Sequence, residues 1–356
     1  MRAKSRADKR AEKCANKPAG NPVNHCVPPV AAVLRRILGA GLLLLSVLLP
    51  GPAAAQDAWP AKPLRLVVPY PPAALTDLLG RAIGDRLSKA LGQPVVIENR
   101  PGAGTLVGAE VVARSAPDGY TLLMATSTTL GISPALYTKA ALDPVNDFAA
   151  VSQVGAVNFF LIANPDFPAK NVKEMLDVLK AAPGKYNYGS SGNGSPHHLF
   201  METLKKQFGL DVQHVPYKGT PAALTDLLGG KLQVMFADAT VAVPNIQAGK
   251  VVPLGTSAAK QTVLLAGVPP IAATVPGFDW QAWQGVVAPA GTPRPVVARL
   301  NAEMQKFQNS AEFREVLQRF GMEPAAPNTP EQFTLVIKAD LPRWAEAVKA
   351  SGAKID

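Results

Sequence analysis

The stretch LRLVVPYPPAALTDLLGRAIGDRLSKALG, residues 64–92, holds the local signals that decide the fold of this chain. Residues 64–68 are mostly apolar and predict a buried strand, which a proline-rich turn follows. Apolar residues then recur at helical spacing, at Leu78, Leu79, Ala82, Ile83, Leu87, Ala90 and Leu91. Gly92 suits the end of such a helix, and Pro94 prevents its continuation. A strand that leads directly into a helix is the repeating unit of α/β folds.

The start of this helix is a natural place for an anion. The first N–H groups of a helix have no partner within it, and the positive end of the helix dipole lies there. The nine residues PAALTDLLG occur at 72–80 and again at 221–229, where Thr220 suits the N-cap position. We therefore expect two anion-binding sites, one at the start of each of these helices.

The formal net charge of +10 is concentrated at the N-terminus. Residues 1–55 contain nine basic and two acidic residues, whereas the rest of the chain contains 27 basic and 24 acidic residues. No basic stripe that could follow a phosphate backbone is present after residue 55, so we expect no nucleic-acid partner.

Residues 1–55 have the features of a secretory signal. Arg35 and Arg36 precede the apolar run ILGAGLLLLSVLL, and the small residues 53–55 follow it. We expect cleavage near Ala55 and export to the periplasm; an uncleaved anchor is the alternative, although the run is short of the roughly 20 residues of a membrane span. Cys14 and Cys26 lie in this leader, so the mature chain has no thiol to form a disulfide or bind a metal.

The mature chain shows two α/β cycles. Strands and helices alternate from residue 64 to 127 and again from 159 to 238, including a helix over 196–208. We predict a two-lobed α/β fold in which each lobe is a mostly parallel sheet flanked by helices, with a ligand cleft between the lobes. Lobe 1 takes residues 56–157, lobe 2 takes 158–257, and residues 258–356 return to lobe 1 with C-terminal helices.

Catalytic signatures are weak. The GxSxG motif and the phosphate-binding P-loop are absent, and the adjacent His197 and His198 would point about 100 degrees apart on a helix, which does not suit a metal pair. Asp77 and Asp226 are best explained as first-turn residues favoured by the helix dipole. We expect no enzyme, no cofactor, no metal and no catalytic residue. A periplasmic hydrolase or isomerase using Ser195 or His197 is the less favoured alternative.

Several motifs together resemble one family of receptors. They are LRLVVPYPP (64–72), ENRPGAGTLVGAEVVARSAPDGYTLL (98–123), NYGSSGNGSPHHL (187–199), VPYKGTPAALTDLLGGKLQVMF (215–236) and VVAPAGTP (286–293). The chain resembles the periplasmic solute receptors of tripartite tricarboxylate transporters, of the Bordetella-uptake-gene (Bug) type. This resemblance implies a type II periplasmic-binding-protein fold that closes on a small organic carboxylate and delivers it to membrane permease subunits.

The resemblance also implies a set of ligand-binding residues from both lobes. In lobe 1 these are Tyr70, Ala73, Ala74, Thr76, Asp77, Ser127 and Thr128. In lobe 2 they are Ser190, Ser191, Gly192, Ser195, Tyr217, Lys218, Gly219 and Asp238. The chain departs from the family pattern where Ala73, Ala74 and Leu75 replace a glycine pair. Because alanine resists positive φ, we expect the loop to turn differently or the helix to begin at Pro72.

The leading interpretation is a monomeric transport receptor that releases its ligand unaltered. An orphan receptor that presents its ligand to a membrane sensor keeps the fold and changes the partner, and the sequence leaves this alternative open.

Overall fold

The computed structural model describes residues 59–355, so the predicted leader lies outside the described part of the chain. The strands are β1 (Leu64–Val68), β2 (Val95–Asn99), β3 (Thr121–Thr126), β4 (Phe148–Val157), β5 (Phe159–Ala163), β6 (Asn187–Ser190), β7 (Gln213–Pro216), β8 (Val234–Asp238), β9 (Val252–Thr256), β10 (Ala282–Pro289) and β11 (Met322–Pro324). The helices are α1 (Leu75–Leu91), α2 (Leu106–Ala113), α3 (Ser133–Leu136), α4 (Val172–Ala181), α5 (Pro196–Phe208), α6 (Thr220–Leu228), α7 (Ala239–Gln247), α8 (Arg294–Gln308), α9 (Ala311–Arg319) and α10 (Pro330–Ser351).

The strands form two sheets, and each sheet is the centre of one lobe. The six-stranded sheet has the order β11-β4-β10-β3-β1-β2, and the five-stranded sheet has the order β7-β6-β8-β5-β9. The two-lobed α/β fold expected from the sequence is therefore confirmed. The chain changes sheet between β4 and β5 and again between β9 and β10, close to the predicted lobe boundaries at 157/158 and 257/258, which we keep as proposed boundaries.

The sheets are mixed, which corrects the expectation of mostly parallel sheets. β1 pairs in parallel with β2 and β3, but β10 runs antiparallel to β3 and β4, as does β11 to β4. In the other sheet β6 is parallel to β7 and β8, whereas β5 is antiparallel to β8 and β9. β5 and β10, the first strands after the two changes of sheet, each run antiparallel to both of their neighbours.

Helix α1 packs closely on the six-stranded sheet because two glycines face the strands. An added Cβ at Gly80 would lie 3.0 Å from Val68 Cγ2, and one at Gly84 would lie 2.9 Å from Ile97 Cδ1. Leu79 and Ile83 are buried on the same face. Gly92 ends the helix in the left-handed conformation, as its sequence position predicts.

Hydrogen bonds hold the segments in which the chain crosses between the lobes. Asn158, between β4 and β5, donates to Glu323 Oε1 at 2.9 Å and accepts from Gln281 Nε2 at 3.3 Å. The final helix, α10, adds an aromatic contact, since its Trp344 lies 5.9 Å from the Phe200 ring of α5 and 4.8 Å from the Trp280 ring. Residues remote in sequence thus hold the crossing segments together.

No helix among residues 59–355 combines the length and the hydropathy that a membrane crossing requires.

Replacing Gly285 of β10 by Ala should destabilise the protein. The new Cβ would meet the Phe333 ring and lie 2.8 Å from the Ser152 carbonyl oxygen, in a site where both neighbours are buried. We expect the free energy of unfolding to fall by about 1–3 kcal/mol, the usual cost of overpacking. Urea denaturation measures it, with Gly229→Ala as the control because its nearest neighbour would be 3.5 Å away. An equal effect of the two substitutions would contradict this account of the packing.

Candidate functional site

Three helix starts open on one cavity of about 410 Å³ between the two sheets. Its wall includes Ala74, Leu75 and Thr76 at the start of α1, Ser195, Pro196 and His197 at the start of α5, and Asp238 and Thr240 at the start of α7. The rest of the wall is formed by Tyr70, Thr126, Thr128, Val157, Phe159, Ala282, Trp283 and Gln284. Partial positive charge from three dipoles is thus directed at one space.

In the first-lobe loop, Ala73 has a backbone conformation with positive φ, which glycine adopts more readily than alanine. Ala73 has φ 65°, and α1 begins at Leu75 with Ala74 as its N-cap. The expected helix start at Pro72 is therefore wrong, whereas the expected difference in the turn stays a prediction. No side chain caps the helix, so its first N–H groups remain for a ligand.

Asp77 holds this loop in place instead of lining the cavity. Its carboxylate accepts hydrogen bonds from the Ala73 N–H at 2.8 Å, from Asn99 Nδ2 at 2.8 Å and from Arg81 Nε at 3.0 Å. Burial alone would raise the pKa of Asp77, but the hydrogen bonds from Arg81, Asn99 and Ala73 hold it below its usual range. An ionised Asp77 therefore offsets part of the strain at Ala73.

The hydroxyl groups of the first lobe form a second part of the wall. The Tyr70 hydroxyl lies 3.1 Å from Thr126 Oγ1, which lies 3.0 Å from Thr129 Oγ1. Burial raises the pKa of Tyr70, so it stays a neutral donor. Ser127 is fully buried away from the cavity wall, and its Oγ has no hydrogen-bond partner among the described residues.

The second-lobe loop is held by hydrogen bonds of its own. Ser195 is the N-cap of α5 and donates to the Gly192 carbonyl at 2.7 Å. Ser191 Oγ lies 2.8 Å from His197 Nδ1, and His197 Nε2 lies 3.4 Å from Asp238 Oδ1. This serine, histidine and aspartate arrangement resembles a catalytic relay, but Ser191 is not part of the cavity wall, so its hydroxyl does not face a ligand held there.

Asp238 is the carboxylate of the cavity wall. Its Oδ2 accepts from Thr220 Oγ1 at 2.8 Å, and its side chain is 30% exposed. Burial works to raise the pKa of Asp238, but the neighbouring His197 and the bond from Thr220 hold it below its usual range.

The structure brings six of the expected residues to the cavity wall and places nine elsewhere. On the wall are Tyr70, Ala74, Thr76, Thr128, Ser195 and Asp238, while Ala73, Asp77, Ser127, Ser190, Ser191, Gly192, Tyr217, Lys218 and Gly219 are not. Tyr217 donates to Asp226 Oδ2 at 2.8 Å, and burial together with this carboxylate raises its pKa to about 12. The second copy of the nonamer, in α6, does not line the cavity, although Thr220 at its start bonds to the wall residue Asp238; the other helix starts on the wall are those of α5 and α7.

Gln284 is the wall residue that sequence reasoning missed most clearly. The only available signal was a carboxamide beside the apolar run of residues 285–288. In the structure Gln284 lies on β10 opposite Thr126 of β3, and it is buried.

A larger cavity of about 600 Å³ lies beside the crossing segments, near Gln153, Lys260 and Asn328. The helix start at its wall, that of α10, is already closed by a capping box between Thr329 and Gln332. It therefore offers no free helix N-terminus, and we place the candidate site in the smaller cavity.

A family model described as the tripartite tricarboxylate transporter family receptor matches residues 79–353. The chain belongs to this family. It is 33% identical over 323 residues to the UPF0065 protein in the tcbD-tcbE intergenic region of a Pseudomonas species, covering 90% of this chain and 96% of that protein. It is 31% identical over 319 residues to BugT of Bordetella pertussis, covering 88% of this chain and 97% of BugT.

Solved structures agree with this assignment. The periplasmic binding protein BugD is 32% identical with a TM-score of 0.68, covering 83% of this chain and 99% of that one. Rpa4515 of R. palustris, solved with adipate, is 32% identical with a TM-score of 0.71, covering 83% and 100%. MatC of Rhodopseudomonas palustris, solved with bound malate, is 32% identical with a TM-score of 0.68, covering 82% and 100%. The resemblance stated from the motifs is confirmed, and the chain is a solute-binding receptor of a periplasmic family, not an enzyme.

Ala73→Gly should stabilise the protein. Left-handed backbone costs an alanine roughly 1–2 kcal/mol, whereas glycine adopts it freely and adds roughly 0.4–1 kcal/mol of unfolded-state entropy. We expect the free energy of unfolding to rise by about 0.5–1 kcal/mol in urea denaturation. Ala74→Gly is the control, because Ala74 has φ −68° and should lose stability. A loss of stability in Ala73→Gly would show that the loop is not strained.

Two stacked histidines support the second-lobe loop. The rings of His198 and His214 lie 3.9 Å apart, His214 Nε2 lies 2.7 Å from Ser190 Oγ, and His198 Nδ1 accepts from the Gly194 N–H at 3.1 Å. Burial, with repulsion from His198 and Lys205, lowers the pKa of His214 to about 4. Burial also lowers the pKa of His198.

Acidification should therefore destabilise the fold between pH 6.5 and about 4. In this window an unfolded histidine binds a proton, since its ordinary pKa is about 6.5, while the folded His214 does not until about pH 4. The free energy of unfolding, measured in urea from pH 6.5 down to 5, should fall. His214→Gln keeps a partner for Ser190 and should show a smaller fall; equal slopes for the two proteins would refute this role of His214.

Proposed function

We propose that this receptor binds a small organic carboxylate in the 410 Å³ cavity and releases it unaltered to the permease subunits of a tripartite transporter. The observation that carries the proposal is the meeting of three helix starts at one wall between the lobes. Adipate and malate, the ligands named for the two R. palustris relatives, belong to this chemical class.

The available interactions are strong enough for such a ligand. A helix N-terminus stabilises an anion by about 0.3–1 kcal/mol, or up to about 2 when partly buried. Each hydrogen bond to a charged group adds about 1.5–3 kcal/mol. Three helix starts and the hydroxyls of Thr76, Thr128 and Tyr70 can therefore supply the roughly 8 kcal/mol of a micromolar site without an arginine.

The same proposal covers export, the oligomeric state and the membrane partner. Export with cleavage near Ala55 and handover to membrane permease subunits fit a family whose description names a tripartite transporter and whose solved member BugD is a periplasmic binding protein. We propose that the receptor acts as a monomer. Ala73 and Asp77 are kept in the proposed site as supports of the α1 start, since the Asp77 carboxylate bonds to the Ala73 N–H.

A thermal-shift screen first identifies an acid that raises the melting temperature of the wild type. Thr76→Val should then weaken the binding of this acid. Ligand binding to the native state must raise this temperature, and the screen contains succinate, glutarate, malate, adipate, aspartate and glutamate. Removing one hydrogen bond to a charged group should weaken affinity about 10- to 100-fold, measured by calorimetry.

The repeated nonamer supplies the matched control. Thr225 occupies the same position of the second copy, in α6, which does not line the cavity, so Thr225→Val should bind as the wild type does. If no acid in the screen shifts the melting temperature, or if the two valine variants lose affinity equally, this cavity does not bind a carboxylate.

A further inference from the structure

The loop that follows β9 returns to the strand that it leaves. The Thr256 N–H donates a hydrogen bond to the Pro269 carbonyl at 3.0 Å, which joins the two ends of the loop. Between these ends, Leu264 and Leu265 pack against the hydrophobic core on one face of the five-stranded sheet. The loop over residues 257–269 is therefore attached to the five-stranded sheet by its ends and by its apolar side chains.

A polar part of this loop contacts the other lobe. Thr262 Oγ1 donates to Glu323 Oε1 at 2.6 Å, and the Val263 N–H donates to the same oxygen at 3.2 Å. Glu323 belongs to β11, an edge strand of the six-stranded sheet. Thr262 is 3% exposed, and a hydroxyl buried without an acceptor would be costly. One carboxylate of the six-stranded lobe thus binds two groups of a loop that is attached to the other lobe.

The same carboxylate oxygen also holds one of the crossing segments. Asn158 is fully buried, and its Nδ2 donates to Glu323 Oε1 at 2.9 Å. Hydrogen bonds to a carboxylate are roughly twice as strong as those between neutral groups. The cluster around Glu323 therefore favours the relative position of the lobes in which all of its bonds form.

A second contact between the lobes lies two residues before Glu323. Gly321, in the turn before β11, has φ 63°, and an added Cβ would lie 2.9 Å from Ala239 Cβ and 3.0 Å from the Thr240 nitrogen. Ala239 and Thr240 are the first residues of α7, and Thr240 lines the cavity. Because glycine has no side chain, the turn before β11 lies directly against one of the three helix starts of the candidate site.

We propose that Glu323 is a positioning residue for ligand binding: with Thr262 and Val263 it forms a clasp that holds the lobes where the helix starts meet at one cavity. Contacts that form in this position and break in others increase the fraction of molecules that can bind. The apparent affinity depends on this fraction, although none of the three clasp residues is part of the cavity wall. The effect on affinity rests on the proposed function, whereas the effect on the lobes does not.

Small-angle X-ray scattering of the ligand-free protein tests the clasp itself. Thr262→Val removes the hydroxyl and should increase the radius of gyration, because the lobes separate in a larger fraction of the molecules. Thr262→Ser keeps the hydroxyl and should give the radius of the wild type. Thr274→Val is the matched control, since Thr274 lies in the same connection between β9 and β10 and is exposed.

Calorimetry with the acids of the thermal-shift screen tests the consequence for binding. Thr262→Val should weaken each acid that the wild type binds by about three- to tenfold, with the same factor for all of them, because a change of population does not depend on the ligand. At saturating acid the radii of gyration of this variant and the wild type should be equal. Glu323→Gln keeps the size of the side chain without its charge, and it should change affinity and radius in the same directions.

The outcomes separate the clasp from the proposed function. The clasp is overturned if Thr262→Val has the radius and affinity of the wild type, if Thr262→Ser is altered as strongly as Thr262→Val, or if the factor of weakening depends on the acid. Each of these results leaves the carboxylate receptor in place. If no acid binds the wild type, the proposed function fails, and the scattering result alone decides on the clasp. Circular dichroism and the melting temperature identify a Thr262→Val variant that does not fold, in which case Glu323→Gln decides.

Discussion

The direction in which α1, α5 and α7 begin is the constraint on which the site depends. Each helix starts where a strand or loop reaches the space between the sheets, so its first N–H groups and the positive end of its dipole face that space. No basic side chain is needed at the wall to attract an anion. The wall contains neither lysine nor arginine, and its one carboxylate, that of Asp238, lies beside His197.

Residues near the start of α1 can hold this anion-binding site in shape without contacting the ligand themselves. Asp77 is buried, and its carboxylate binds a backbone N–H, an asparagine and an arginine. It holds Ala73 in the left-handed conformation, which alanine disfavours. A site residue suggested by resemblance can thus act by positioning the loop, which is a different role from contact.

The two copies of the nonamer PAALTDLLG show which features the local sequence decides and which the tertiary structure decides. Both copies form helices, because their apolar spacing and first-turn residues are the same, yet one start lines the cavity and the other does not. The difference lies in what precedes them. The loop before α1 leaves β1, which has a neighbouring strand on each side in the six-stranded sheet, whereas α6 follows β7, an edge strand of the five-stranded sheet.

Local spacing and chemistry in the sequence alone determined β1 at 64–68, α5 at 196–208, the helix end at Gly92 and the family through its motifs, since helix and strand periodicities are properties of neighbouring residues. Only the tertiary structure decided the mixed strand directions, the strained backbone at Ala73, and the choice of six wall residues out of fifteen expected. It also decided that Gln284 faces the cavity and that Tyr217 bonds to Asp226. These features depend on partners from other elements, and no local pattern states which distant element supplies the neighbour.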